Sequence, residues 1–328
     1  MNDSNLELDD FTSTGVTSDT DVPKYYGEAL ERISSERQEI VCLGVDLSVP
    51  TESDGFRDLF PDRFFMIGMA EANAIGIASG MAKMGDIPFV HGFSVFLTRR
   101  SYDQVAMQIA YPRSNVKLVG FLPGLTTNLG VSHQAIEDIA IMRALPNMVV
   151  LEPSGPEQYE AAVRAVVDYT GPVYLRLRRS DSFANFRTTS DKFEVGGSEV
   201  LRDGKDSVIF ASGIMVSKAV EASIQLHKAG IEVAVVNIYS LKPIDGEMIA
   251  KYARKTKCIV TAENHTTIGG LGDAVAAELA SQRIFVGHKK VGLKDQFAEG
   301  GSMDYLNKKY NLEVEDIVNA TREVLVRD

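Results

Sequence analysis

Cysteine is almost absent from this chain: Cys42 and Cys258 are the only two, far apart and each inside an apolar, strand-like run. They offer no disulfide framework, so buried free thiols in a reducing, cytoplasmic compartment are expected. No apolar run approaches the roughly 18 residues of a membrane span. The start has no basic region followed by an apolar core, which argues against a secretory signal. The five histidines show no metal-ligand spacing, so no metal site is expected in this chain alone. No basic stripe with interleaved aromatics is present either, which excludes a nucleic-acid partner by the usual signature. Residues 1–22 lack Lys and Arg altogether. With Asp3, Glu7, Asp9, Asp10, Asp19 and Asp21, that segment holds −6 of the net charge of −11. It is expected to be a disordered, solvated acidic tail.

What remains is globular in character. The chain has 328 residues, 45% of them hydrophobic and 24% charged, enough for two domains each with its own core. From residue 24 helix-like and strand-like segments alternate, as in a parallel α/β sheet. Helices are expected at 25–37, from 71 to about Gly85, at 102–110, 133–145 and 156–169; strands at 39–44, 64–67, 87–90, 116–120, 148–152 and 172–177. Residues 180–200 break the rhythm with Ser, Asp, Thr and Gly. A second alternation follows, with strands at 207–211, 232–236, 258–261 and 283–291 and helices near 215–229, 245–255, 271–281 and 313–326. The fold class expected is α/β with two doubly wound domains. Their boundaries are 23–185 and 201–328, joined by a linker at 186–200.

One residue is out of keeping with its surroundings. Glu71 lies in the run 66–85, which is otherwise built almost wholly from Ala, Gly, Ile, Met and other small residues. Burying an unpaired carboxylate costs several kcal/mol, so a paired charge or a proton-handling carboxyl is expected. An exposed first-turn glutamate facing the helix dipole is an equal alternative on these residues alone. Asp46, just past a strand end, sits where α/β sheets bind ligands, and either touches a ligand or caps a loop. Phe93 and Phe96 read as ordinary core aromatics. The cluster Gly269, Gly270 and Gly272 near His265 resembles a phosphate-cradling loop only weakly, and it is assigned a structural part.

Taken in order, these residues resemble a known family. Glu71 with Ala70 and Asn73, Phe93 and Phe96, Tyr102 to Gln104, Ser132 to Gln134, Ala144 to Asn147, Tyr239 to Asp245 and Glu263 to Gly272 match in sequence and spacing. Together they are similar to the C-terminal half of transketolase, as found where that enzyme is split into two subunits. The resemblance runs from about residue 23 to the end. It implies a pyrimidine-binding-type parallel sheet domain followed by a smaller transketolase C-terminal-type α/β domain, and thiamin diphosphate chemistry. In that family the glutamate at the position of Glu71 bonds N1′ of the aminopyrimidine and favours the tautomer that deprotonates the thiazolium. Phe96 and Phe93 would pack on the ring, Asp46 is a further cofactor candidate, and His133 would bond the substrate carbonyl or alkoxide. The Gly-Asp-Gly motif that holds diphosphate and Mg²⁺ in the family is absent here. The resemblance therefore implies a separate N-terminal subunit supplying those ligands, with the active site between subunits of an α2β2 assembly.

The substrate positions depart from the family. The four residues that hold a sugar phosphate fall, without gaps, at Pro23, Pro50, Phe121 and Arg179, and only Arg179 keeps its type. An Asp that reads a sugar hydroxyl is replaced by Leu129. The related 1-deoxyxylulose-5-phosphate synthases place an arginine after the aromatic segment, a part open to Arg99 or Arg100. Loss of polar groups at Phe121 and Leu129 points away from ordinary pentose or hexose phosphates. The expected activity is transfer of a two-carbon ketol unit with non-standard donors. A β subunit of a 2-oxo acid dehydrogenase or acyloin-forming transferase, and a non-catalytic α/β partner subunit, are the alternatives.

Overall fold

The computed structural model describes residues 23–179 and 193–326. The acidic segment 1–22 and the first part of the expected linker lie outside the described residues. The first half runs α1 (Tyr25–Glu36), β1 (Ile40–Gly44), α2 (Asp54–Leu59), β2 (Phe64–Met66), α3 (Glu71–Met84), β3 (Ile87–Phe93), α4 (Ser94–Thr98) and α5 (Tyr102–Gln104). A π-type stretch, Val105–Ala110, leads to β4 (Lys117–Phe121), α6 (Asp138–Ala144), β5 (Val149–Leu151), α7 (Tyr159–Asp168) and β6 (Val173–Leu177). The second half comprises β7 (Glu199–Arg202), β8 (Ser207–Ala211), α8 (Met215–Lys228), β9 (Val233–Asn237), β10 (Ser240–Lys242) and α9 (Gly246–Lys255). It ends with β11 (Cys258–Thr266), α10 (Leu271–Ser281), β12 (Gly287–Leu293), α11 (Met303–Lys309) and α12 (Val314–Leu325).

Two sheets result, ordered β10-β5-β6-β4-β3-β1-β2 and β12-β11-β8-β9-β7. All pairings are parallel except at one edge of each sheet, where β10 runs antiparallel to β5 and β7 antiparallel to β9. Strands β1, β4, β6, β8 and β9 are buried along their whole length. That explains their unbroken Val, Ile and Leu runs, since helices cover both faces. Helix α1 shows the complementary logic: Tyr26, Ala29, Leu30 and Ile33 form one buried stripe at helical spacing.

The expected α/β architecture is present, with three physical differences. First, each half has an apolar cluster largely its own, and a third cluster is shared between them. Val41, Val90 and Leu118 of the first sheet share one apolar cluster with Val208, Phe210 and Val236 of the second. Second, the short edge strands β7 and β10 were not expected. The last two residues of the linker expected at 186–200 belong to β7. β10 leaves the second half altogether and completes the first sheet, where the Glu152 amide donates to the Tyr239 carbonyl at 2.7 Å. Third, α6 starts at Asp138, not near residue 133. The preceding loop is a series of bends and turns whose ends are bridged at Pro123 and Ala135, with the Gly124 N–H donating to the Ala135 carbonyl at 2.8 Å.

Helix α3 begins and ends as expected. Gly85 adopts φ +107° past its last residue, and the Asp86 amide turns back to the Met81 carbonyl. This is a glycine-dependent helix stop.

Candidate active site

The burial of Glu71 follows from helix phase. The inward stripe of α3 is Ala74, Ile75 and Ala78, and Glu71 stands three, four and seven residues before them. The carboxylate is therefore the first member of the buried stripe, only 4% exposed, at the positive end of the helix dipole. Of the alternatives open from sequence, the exposed first-turn glutamate is excluded.

Glu71 forms the floor of a cavity of about 260 Å³ at the carboxyl ends of β1 and β3. Asp46 lies just past β1, and Phe93 closes β3, which continues three residues beyond its expected end. Phe96 in α4 forms a wall. The long loop before α6 contributes Leu129 and His133. The His133 ring meets the Phe96 ring edge-on, centroids 5.1 Å apart, and its Nδ1 lies 2.9 Å from the Ser132 hydroxyl. Burial, with the nearby Arg100 cation, holds the His133 imidazole below its usual range, so it is neutral at pH 7.

Arg99 and Arg100 part company. Arg100 turns into the cavity: Nη2 donates to Glu71 Oε1 at 2.5 Å, and its guanidinium carbon lies 4.1 Å from the Phe96 ring centre. Arg99 turns the other way. It grips Glu137 with two nitrogens and donates to the carbonyls of Val131 and Gln134 at 3.3 and 3.2 Å. It fastens the loop and does not line the cavity.

Two further expectations shift. Phe121, expected at a substrate position, is fully buried in the core, edge-on to Tyr26 at 5.6 Å. Side chains alternate along β4 and this one faces inward. Arg179 is buried and is not among the residues lining the cavity. The structure thus brings together Asp46, Glu71, Phe93, Phe96, Arg100, Leu129 and His133, and leaves Arg99, Phe121 and Arg179 outside.

Sequence reasoning gave the second half no part in the site, yet its residues hold the loop that carries Leu129 and His133. Asn264 in β11 accepts from the Leu125 amide at 3.1 Å, Gln134 donates to the Glu299 carbonyl at 3.0 Å, and the Gly301 amide donates to the Asn128 carbonyl at 3.1 Å. The approach depends on Gly124, at φ +58°, where an added Cβ would meet the Asn264 carbonyl oxygen at 2.3 Å.

The glycine-rich turn is structural. Its amides at Leu271 and Gly272 are taken by the Glu263 carboxylate at 2.7 and 2.9 Å, where a phosphate would otherwise bind. Burial pushes Glu263 up to about 7. Buried His265, lowered to about 4 by desolvation, accepts from the Ala140 amide through Nε2. Between the sheets, Arg176 is 1% exposed; its Nε bonds Asp138 at 2.7 Å, Nη1 bonds Glu152, and Nη2 donates to the Asn264 carbonyl at 3.0 Å. A larger groove of about 470 Å³, beside Ile136, Ile268 and Phe297, has only Glu137 and Asp295 as titratable groups, neither of them buried. It lacks the chemistry of the Glu71 cavity.

Known proteins resemble nearly the whole chain. Residues 18–183 match the family model described as the transketolase pyrimidine binding domain, and residues 196–317 the transketolase C-terminal domain. A 6-deoxy-6-sulfo-D-fructose transketolase subunit of a Clostridium species (strain MSTE9) is 41% identical, over 92% of this chain and 94% of its own. An apulose-4-phosphate transketolase subunit of Phocaeicola vulgatus is 32% identical, over 92% of this chain and 96% of its own. A split-gene transketolase solved as an inactive beta4 tetramer superposes with a TM-score of 0.85 at 43% identity, covering 92% of this chain and 97% of that one. This chain belongs to the transketolase family, as a split, C-terminal-type subunit carrying the pyrimidine-binding and C-terminal domains.

Proposed function

We propose that this chain is the pyrimidine-binding subunit of a thiamin-diphosphate-dependent enzyme that moves a two-carbon ketol unit from a ketose to an aldehyde. It would act with a separate N-terminal subunit in an α2β2 assembly. The observation that carries the reading is the buried Glu71 carboxylate beside the Phe96 ring, in a cavity of about 260 Å³. The fit is chemical: a carboxylate in a water-poor floor holds a proton on a weakly basic ring nitrogen, and an aromatic wall stacks on the ring face. Bound there, thiamin would supply a nucleophilic carbon and an electron sink.

This chain's own residues do the rest. Glu71 holds and moves the proton at the pyrimidine nitrogen. Phe93 and Phe96 orient the ring and exclude water. Asp46 closes the cofactor side of the cavity. With Ser132 donating to Nδ1, neutral His133 keeps Nε2–H for the oxygen of the substrate carbonyl as it gains charge. Among the described residues no group of three or more His, Cys, Asp or Glu side chains is placed to hold a metal ion. Mg²⁺ and the diphosphate are assigned to the N-terminal subunit. The inactivity of the related beta4 tetramer supports a site that needs that partner.

The substrate side favours a modified donor. Leu47, Met69 and Leu129 make the mouth apolar, and Arg100 is its cation. The two relatives above are named for 6-deoxy-6-sulfo-D-fructose and for apulose-4-phosphate, which supports a donor outside the ordinary pentose and hexose phosphates. Replacing Leu129 by Asp is expected to raise kcat/KM for polyhydroxylated ketoses, relative to less hydroxylated ones, by about tenfold, the worth of one hydrogen bond. An unchanged donor ranking would count against the assignment of this face of the cavity to the sugar hydroxyls.

The test is reconstitution with the N-terminal subunit, thiamin diphosphate and Mg²⁺, offering ketoses labelled with ¹³C at C1 and C2 and an aldehyde acceptor. Product carrying both labels establishes ketol transfer. Release of CO₂ from pyruvate without ketol transfer would move the protein to 2-oxo acid chemistry, for which the apolar mouth is the one supporting observation. Neither activity would leave a non-catalytic partner subunit.

A further inference from the structure

We propose that Arg100 is a stand-in for the cofactor ring, occupying the pyrimidine seat and leaving it by exchange when the cofactor loads. The inference rests on the cofactor reading above, which gives the ring two contacts in this chain: a hydrogen bond to Glu71 and a stack on Phe96. Arg100 makes both. Its Nη2 lies 2.5 Å from Glu71 Oε1, and its guanidinium carbon lies 4.1 Å from the Phe96 ring centre. Guanidinium is planar and delocalised, so one flat group donates at its edge and stacks on its face, as an aminopyrimidine does. A separation of 4.1 Å is already van der Waals contact, and no ring fits between the two groups.

The partners of the pair differ in a way that suits exchange. Glu71 is a fixed floor, with a side chain 4% exposed, whereas the Arg100 side chain is 53% exposed and reaches in from the mouth. Among the described residues its one hydrogen bond goes to Glu71. Arg99, of the same type and adjacent in the chain, is held by two carboxylate oxygens and two carbonyls and has no comparable freedom. One arginine is thus anchored beside the cavity, and the other is free to swing within it. The swinging arginine keeps a buried carboxylate paired, which otherwise carries the penalty of an uncompensated charge. The incoming ring must outcompete it, so the pyrimidine end binds weakly unless the diphosphate end is also held. Loading of the cofactor is thereby tied to the presence of the N-terminal subunit. Once displaced, the guanidinium stands at the mouth, beside His133.

The experiment is a titration of thiamin diphosphate, with Mg²⁺, into the complex of this chain with its N-terminal subunit, read as heat or as aromatic fluorescence and requiring no turnover. Wild type, Arg100→Met and Arg100→Lys are compared. Methionine retains apolar contact with Phe96 but cannot bond Glu71; lysine bonds Glu71 but does not stack as a plane. Arg100→Met is expected to bind about tenfold tighter, through a faster association rate, since a half-exposed charge-assisted hydrogen bond no longer has to be broken. Arg100→Lys is expected to fall between. Equal or weaker binding by Arg100→Met would overturn the stand-in role while leaving the cofactor reading intact. Absence of binding by wild type and both variants would overturn the cofactor reading and this inference together. Thermal unfolding of each variant accompanies the titration. A merely structural arginine lowers the melting temperature on removal but does not tighten the cofactor.

Discussion

Glu71→Gln is expected to reduce ketol transfer by about 10²- to 10⁴-fold, the range for loss of a positioned proton-transfer group. The amide fills the same volume at the start of α3, so the packing of Ala74, Ile75 and Ala78 beneath it stays as it is. What is lost is the ability to hold and release a proton at the pyrimidine nitrogen. The stability cost should be small. The substitution removes the buried charge itself and leaves unpaired only the Arg100 guanidinium, which is more than half exposed, so no buried charge is stranded. The informative outcome is the combination: a collapsed rate in the reconstituted complex, with a melting temperature within roughly 4 °C of wild type. A variant that transfers ketol units at the wild-type rate would remove Glu71, and the proposed chemistry with it.

Arg176→Met is expected to show the opposite balance, a large loss of stability by about 3–5 kcal/mol. Arg176 lies wholly inside the protein, bonded to Asp138, Glu152 and the Asn264 carbonyl, and Tyr174 donates to the same Asp138 at 2.7 Å. Burial alone would push the Asp138 carboxyl up; the Arg176 cation outweighs it and holds Asp138 below its usual value. Removing the cation strands two carboxylates in a dry interior. The sign of the pH dependence then changes. In wild type a depressed carboxyl gives stability that is present above its unfolded value and lost only in strong acid. In the variant the folded value lies above the unfolded one, so stability rises as the pH falls through that window. The gap between variant and wild type should therefore narrow from about pH 8 towards pH 5. Urea midpoints at the two pH values measure it, and a constant gap would mean that packing, not charge, is what Arg176 supplies.

Much of this was legible in the sequence, for physical reasons. Buried parallel strands write themselves as apolar runs, and α3 announced its end through Gly85. Glu71 stood out because an acid among small apolar residues needs an explanation. The misses have equally specific causes. β7 and β10 are edge strands of three or four residues, too short for periodicity to register. Whether Arg99 or Arg100 enters the cavity depends on the phase at the end of α4, where neighbours point about 100° apart around a helix axis. Phe121 was placed by counting without gaps, and along a strand a one-residue error carries a position from a cavity rim into a core. The hold of Asn264 on the loop before α6 is a tertiary contact between halves, which no local pattern encodes.

The position of β10 has a consequence for the order in which the protein can be made. The first sheet ends at β5 until Ser240–Lys242 has been synthesised and laid against it. During translation, the amino-terminal half emerges with an unpaired strand edge and with the apolar faces of Val41, Val90 and Leu118 awaiting Val208, Phe210 and Val236. An open edge beside uncovered hydrophobic surface is a template for aggregation. A gene fragment encoding the pyrimidine-binding half alone is therefore expected to yield insoluble protein, and the partition of that fragment between soluble and pelleted fractions measures it.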